Sequence, residues 1–468
     1  MCNTQNENKN SIIADVEACF KAIGRIHSKV SGLGLKYFIE TYGCQMNEHD
    51  SEKIAGMLVQ CGYEKAETKQ EADFILFNTC CVREHAELRT FGNVGFVKEL
   101  KQTNPRLILG VCGCMMQQEG VADKLFRRFP FVDIIFGTHE LQRFPLMLEK
   151  ALDSQRIVEL GGADDVVEGL PVKREAGFST FVNIMYGCNN FCTYCIVPYV
   201  RGRERSRKPH DIIDEVKQVV SQRFSEVTLL GQNVNSYSSD GIDFPTLLKM
   251  ICDAVPSLKR LRFMTSHPKD LSDKLISVMA EMDTVCKHIH LPVQSGSNSI
   301  LKAMNRRYTR EHYLDLVKKL RSKVNDVEIT TDIIVGFPGE TEEDYQDTVD
   351  LVRNVGYSNA YTFAYSPRAG TIAAKMENQV PQEIKKRRLN ELNAVLAETI
   401  PKGNAKYVGY EGEILVEGVD HRGEPLLFGK LSNFKMVYVE GDEKLIGSFV
   451  KVRVDGFRFN SLFGHIID

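Results

Sequence analysis

At 468 residues the chain is too long for one core and suits two or three domains. Hydrophobic residues make up 43% and charged residues 26%, an ordinary globular balance, and no apolar run reaches the ~18 residues of a membrane-spanning helix. The net charge of −3 excludes a polycation, so any contact with nucleic acid must come from a local basic surface. The N-terminal MCNTQNENKNSIIADVEACF lacks the basic-then-apolar order of a secretory leader, which points to the cytoplasm. Thirteen cysteines are many for such a compartment; an odd number in a long chain argues against a disulfide scaffold and for metal binding or chemistry.

Residues 1–34 read as an accessory extension, polar and then weakly helical from Ile12 to Ile26. From residue 35 short apolar runs alternate with amphipathic stretches. KYFIETYG, DFILFNTC, RLILGVCGC and VDIIFG read as strands, with helices between them, and this alternation predicts a parallel α/β sandwich over 35–152. A linker is expected at 153–175. A second alternating series over 176–400 has strands at FSTFVNIMYG, EVTLLGQ, RLRFMTS, HIHLPVQ, EITTDIIVGF and AYTFAYS, which fits a partial TIM-like β/α barrel. Over 401–468, short strand-like runs spaced by Gly and Asp predict a small all-β barrel. The fold class expected is therefore α/β with a C-terminal β-barrel.

Two sets of cysteines carry the chemistry. CNNFCTYC places Cys188, Cys192 and Cys195 just after the first strand of the barrel series, where β/α folds build active sites. Three thiolates can hold three irons of a four-iron cluster and leave the fourth open to a substrate; structural zinc would more often show two paired units. The second set is dispersed: Cys44, Cys80 and Cys114 each follow a predicted strand and precede a predicted helix, so a parallel sheet brings them to one edge. Helix N-termini there favour an anionic cluster. Cys81 and Cys112 are close competitors, and buried core thiols are the plain alternative for the whole set.

C-x-x-x-C-x-x-C after the first strand of a β/α barrel resembles the radical S-adenosylmethionine superfamily. YGCQMN, NTC-x-VRE and GC-x-x-Q resemble the three signatures of the methylthiotransferase N-terminal domain. With LLGQNVNSY, TSHP, HLPVQSGS, MNRRYTR and DIIVGFPGET the likeness covers about residues 35–468, and it is nearest to the MiaB-type branch acting on N6-isopentenyladenosine in tRNA. The resemblance implies two [4Fe-4S] clusters held by the six cysteines, S-adenosylmethionine on the open iron of one, and Tyr194 packed on that cofactor. It implies conversion of N6-isopentenyladenosine beside the anticodon to its 2-methylthio form, a reaction at an unactivated C–H bond that needs a radical from the cofactor. It also implies a tRNA partner, a reductant of flavodoxin or ferredoxin type, no membrane, and a monomer. The last domain resembles the TRAM RNA-binding module, whose Phe428, Phe434, Tyr438, Phe457 and Phe459 could stack on bases.

Other segments are read beside these. Gln232, Gln294 and Asp332 fall at predicted strand ends and, as a set, suit cofactor contacts; alone each is an ordinary turn residue. Gly336 in GFPGET would let backbone approach the adenosyl part. RGRERSRK follows the cluster loop, and alternating Arg203, Arg205 and Arg207 would face one side of an extended loop and meet phosphates. KKRR, from Lys385 to Arg388, reads as one face of a solvated helix. Alternative substrates are threonylcarbamoyl-adenosine in tRNA or a ribosomal-protein aspartate; the rival of another class is a non-catalytic iron–sulfur RNA-binding redox protein, which full four-cysteine ligation would favour.

Overall fold

In the computed structural model, which describes residues 2–81, 84–161 and 166–467, the chain divides into two compact units. The first comprises Met1–Ala176 with Tyr186–Asn189 and Ile196–Arg205; the second holds the remainder.

The first unit is a parallel sheet built from β1 (Lys36–Thr41), β2 (Phe74–Thr79), β3 (Ile108–Gly113), β4 (Ile134–Phe136) and β5 (Ile157–Glu159), with Glu64–Lys65 pairing at the edge beside β1. Every residue of β2 and β3 is buried, the pattern of strands covered on both faces. Alternate residues serve opposite cores: Phe74 and Leu76 pack on one side, Ile75 and Phe77 on the other. The helices α1 (Cys2–Val30) and α2 (Gln45–Gln60) cover the first face; α3 (Glu84–Thr103) covers the second.

Two expectations change here. The N-terminal extension is not an appendage: Ile23, Ile26 and Val30 enter the first core, and Arg25 grips Glu149 with two hydrogen bonds of 2.7 Å. The linker expected at 153–175 includes β5, whose Ile157 N–H reaches the Asp133 carbonyl at 2.7 Å, because the short IVE run offers a β-branched pair to an open sheet edge. The part of that linker at 162–165, and Val82 and Arg83 of the NTC-x-VRE signature, lie outside the described residues.

The second unit begins with an arc of parallel strands: β6 (Ser179–Asn183), β7 (Glu226–Leu230), β8 (Arg260–Phe263), β9 (His288–His290), β10 (Glu328–Val335) and β11 (Asn359–Ala364). They form two three-stranded sheets joined by a single bridge, Leu261 to Val285, so the arc is open between β6 and β11. Val227, Leu229, Leu261, Ile289 and Ile333 face the surrounding helices, and the intervening residues face the lumen. A closed antiparallel-rich barrel follows, in the order β12 (Glu411–Asp420), β13 (Leu426–Lys430), β14 (Met436–Val439), β16 (Ser461–Ile466) and β15 (Phe449–Arg458). The boundary falls later than 401, because the helix Gln382–Asn404 runs through Pro401. On that helix Lys385 and Arg388 are buried rather than solvated. Lys385 bonds the Tyr365 carbonyl, and Arg388 meets Glu340 at 2.7 Å. A run of four cations on a helix spans more than one face, so half of KKRR turns inward.

The small barrel seats on the N-terminal ends of the arc's strands. Arg260 donates to the carbonyls of Lys430 and Glu413 at 2.6 Å. Arg262 donates to Ser432 and Leu431 while its Nε holds Glu226 at 2.7 Å. Phe434 stacks on His288 with centroids 4.5 Å apart, so this ring, expected as an RNA platform, is engaged within the protein. Replacing Arg262 with Met is expected to cost about 3 kcal/mol, because buried Glu226 loses its 2.7 Å partner and keeps only the Ser179 hydroxyl and Arg260 at 4.0 Å. Chemical denaturation and protease resistance of residues 405–467 would register the loss.

Candidate active site

The first site is assembled at the C-terminal ends of β1, β2 and β3. Cys44 is the N-cap of α2, in extended conformation (φ −101°, ψ 167°) with no side-chain cap, and its carbonyl accepts the Asn47 and Glu48 N–H groups of the first helical turn. Glycine makes the approach possible at two points. Gly43 has φ +127°, and a Cβ there would lie 2.5 Å from Cys80 Cβ. Gly113 has φ +100°, and its Cβ would meet the Thr79 carbonyl at 2.3 Å. Cys80, Cys81 and Cys114 then pack in one buried cluster with Ile196 and Val200, while Cys44 is exposed at its rim. The Cys81 N–H points at Cys114 Sγ from 3.2 Å. Cys80 pulls the Cys114 thiol down, but Cys81 and burial outweigh it and push it up to about 12.

Cys112 stands apart. It lies inside β3 with its side chain in the apolar core on the α1 and α2 face, and burial holds its thiol well above the usual range. Cys112→Ala is therefore expected to leave bound iron unchanged, whereas Cys114→Ala is expected to empty the site. Iron assay after anaerobic reconstitution decides between them, and the same assay on Cys81→Ala tests the competitor that does sit in the cluster.

A residue the sequence reading passed over closes this site. Arg201 is buried; its Nη2 bonds Asn47 Oδ1 at 2.7 Å and Asp50 Oδ2 at 3.1 Å. Burial opposes its charge, but Asp50 and the thiols of Cys44 and Cys114 favour it, and the net effect holds Arg201 above its ordinary pKa. Asn47 also donates to the carbonyls of Tyr42 and Thr79, tying two of the cysteine turns together. The Asn of YGCQMN, three residues past Cys44 and so on its side of the helix, was the available signal.

In the second cysteine loop the Cys188 N–H bonds the Gly202 carbonyl at 3.1 Å. Cys192 Sγ receives Arg306 Nη1 at 3.3 Å. Arg306 is fixed by Tyr308 and the Pro292 carbonyl, so its N–H donor is held at the Cys192 sulfur. Tyr194 packs against Ile300, Met304, Phe337, Tyr365 and Ala373. The arginines after the loop diverge. Arg203 is exposed and Arg205 half-buried with a bond to the Arg201 carbonyl. Arg207 is buried, paired with Glu215 at 2.6 Å and with the Asn183 carbonyl. The three therefore differ in exposure, and Arg207 is unavailable to phosphate.

Around the lumen of the arc, Asp332 is half-exposed and meets His290 Nε2 at 3.3 Å. Gln294 takes φ +70°, rare for a residue with a Cβ, and its N–H bonds the Asp332 carbonyl at 2.9 Å. Gln232 follows β7, half-buried on the other sheet of the arc. Gly336 serves its own loop: with φ +72°, the space of its missing side chain is filled by Lys385 at 2.4 Å, and its N–H caps Glu340. At the ends of β6, β7 and β8, Asn183 and Asn235 leave both amide atoms, Ser266 its hydroxyl and His267 its Nε2 buried without a partner. His267 Nδ1 accepts the Lys269 N–H, and burial lowers this ring to about 2, so a neutral imidazole carries its proton on Nε2. Such orphaned groups cluster where a polar ligand would satisfy them, and they fit a cofactor with amino, carboxylate and ribose groups. Among the described residues no three metal-binding side chains converge on one point. A four-iron cluster does not require that, because each thiolate takes a different iron.

Comparison with known proteins agrees with this layout. Residues 182–352 match the Radical SAM superfamily, residues 36–137 the Uncharacterized protein family UPF0004, and residues 405–467 the TRAM domain. A tRNA-2-methylthio-N(6)-dimethylallyladenosine synthase of Clostridium perfringens is 54% identical over 437 residues, covering 92% of this chain and 98% of its own. One from Thermoanaerobacter sp. is 51% identical over 453 residues, covering 96% of each. Among solved structures, the radical S-adenosylmethionine methyltransferase TsrM from Kitasatospora setae, with cobalamin and a [4Fe-4S] cluster bound, shares the fold at TM-score 0.54 and 13% identity, over 73% of this chain and 77% of its own.

Proposed function

Because the chain belongs to the tRNA-2-methylthio-N(6)-dimethylallyladenosine synthase family, we propose that it replaces the hydrogen on carbon 2 of N6-dimethylallyladenosine in tRNA with a methylthio group. The cofactors are two [4Fe-4S] clusters and S-adenosylmethionine, which together supply the electron, the radical and the methyl group. The observation that carries the assignment is the pair of three-cysteine sets, each at the C-terminal ends of parallel strands, each one ligand short of a closed cluster.

The chain's own residues divide the work. Cys44, Cys80 and Cys114 hold one cluster, with Arg201 beside them balancing its negative charge. Cys188, Cys192 and Cys195 hold the other, with the Arg306 N–H on the Cys192 sulfur. Tyr194, Gln232 and Gln294 line the cofactor space with Asp332 at its border, and the unpaired groups of Asn183, Asn235, Ser266 and His267 orient its polar parts. Gly336 contributes by shaping its loop. Arg203 and, in part, Arg205 meet tRNA phosphate. Phe457 and Phe459, exposed on the small barrel, offer stacking surfaces to the RNA. The enzyme works as a cytoplasmic monomer with an external low-potential reductant. No described helix is long and apolar enough to cross a membrane.

The test is nucleoside mass spectrometry of tRNA from cells with and without the gene. Loss of the 2-methylthio derivative with accumulation of N6-dimethylallyladenosine is expected. A change confined to threonylcarbamoyl-adenosine would assign the alternative substrate.

A further inference from the structure

Two large aromatic rings stand open in the lumen of the arc. Tyr361 and Phe363 are 47% and 50% exposed on β11. Their direction follows from their neighbours. Ala360 packs against the main core, and the Thr362 hydroxyl bonds Asn393 on the helix Gln382–Asn404, so these two face outward. Tyr361 and Phe363 therefore face inward, in register with Asp332 and Ile334 of β10. The strand β11 ends its sheet, so the pair borders the open side of the arc. Exposed apolar rings in a concave, polar-lined space are expensive to leave uncovered and mark a binding surface.

We propose that Tyr361 and Phe363 form the wall on which the target nucleoside lies, Tyr361 under the purine and Phe363 against the N6-dimethylallyl arm. This rests on the functional reading above and names the residues that choose its substrate. Alternate residues on a strand are about 6.6 Å apart, the scale of the step from a purine ring to an arm on its N6. Asp332, beside Tyr361, can accept the remaining N6–H, and the His290 ring, 6.0 Å from Tyr361, fixes that corner. The same wall rejects a threonylcarbamoyl arm, whose carboxylate would be desolvated against Phe363 and face the Asp332 carboxylate.

The experiment measures binding of the reconstituted full-length enzyme to three anticodon stem–loop RNAs: dimethylallylated, unmodified and threonylcarbamoylated. Wild type is expected to prefer the first. Phe363→Ala should weaken binding of the dimethylallylated RNA about ten-fold and leave the unmodified RNA within about two-fold. Tyr361→Leu should weaken both about ten-fold. Phe363→Leu, still apolar, should recover most of the preference. Both positions are exposed, and unchanged iron content and thermal midpoint verify the fold. Variants that bind all three RNAs as wild type does overturn the proposal. So does lost affinity for S-adenosylmethionine, measured without RNA, alongside unchanged RNA binding, since the wall would then serve the cofactor's adenine. If wild type prefers the dimethylallylated RNA and the variants lose that preference, but no methylthio product forms, the wall stands and the assigned reaction fails.

Discussion

Replacing Cys188, Cys192 and Cys195 together with alanine is expected to lower bound iron from about eight to about four per chain and to abolish both S-adenosylmethionine cleavage and methylthiolation. The two cysteine sets stand on different strand ends, and the first retains its own packed cluster of Cys80, Cys81 and Cys114. Loss of one cluster therefore need not empty the other. The reciprocal triple replacement of Cys44, Cys80 and Cys114 should also leave about four irons, but cleavage of the cofactor should persist while methylthiolation disappears. Iron assay, visible absorbance and product analysis read the two outcomes separately. A wild type carrying only four irons, or zinc in their place, would refute the arrangement.

Arg201→Ala is expected to destabilise the first unit by about 3–5 kcal/mol, because Asp50 loses its partner inside the protein. The side chains of Arg201 and Asp50 are 7% and 12% exposed, so water recovers little of the loss. The guanidinium also faces the thiols of Cys44 and Cys114, and its removal should reduce iron retained at that site after reconstitution. Arg201→Lys keeps the charge but on a shorter, differently shaped stem that does not place a donor where Nη2 meets both Asn47 and Asp50, so an intermediate loss is expected. Thermal unfolding and iron content together register both effects; a variant as stable and as iron-rich as wild type would remove Arg201 from this role.

The fold was legible where period and punctuation were strong. The buried runs FILFNT and ILGVCG, and the strands of the arc, follow from continuous apolar residues between helical stretches. Short edge elements were not: β5 is three residues in a polar stretch, and only its neighbour β4 makes it a strand. The extension misled in the same way, because its helix is confirmed by packing of Ile23, Ile26 and Val30 rather than by its polar start. Charge was the weakest guide. RGRERSRK looks uniformly solvated, yet Arg201 and Arg207 are buried in ion pairs while Arg203 is exposed; KKRR divides likewise. One-dimensional spacing places a cation on a loop or helix but cannot say which acid from another segment awaits it. Tyr361 and Phe363 were hidden for the converse reason: AYTFAYS reads as a strand, and only the register with β10 shows that its aromatic face looks into the lumen.

The decisive assay combines reconstituted enzyme, a reductant, tRNA bearing N6-dimethylallyladenosine, and S-adenosylmethionine deuterated on its methyl group. Wild type is expected to form a 2-methylthio nucleoside carrying the labelled methyl on sulfur, and neither triple cysteine variant is. A modified nucleoside without label, or no change in the tRNA while the enzyme holds both clusters and cleaves the cofactor, would contradict the assigned reaction.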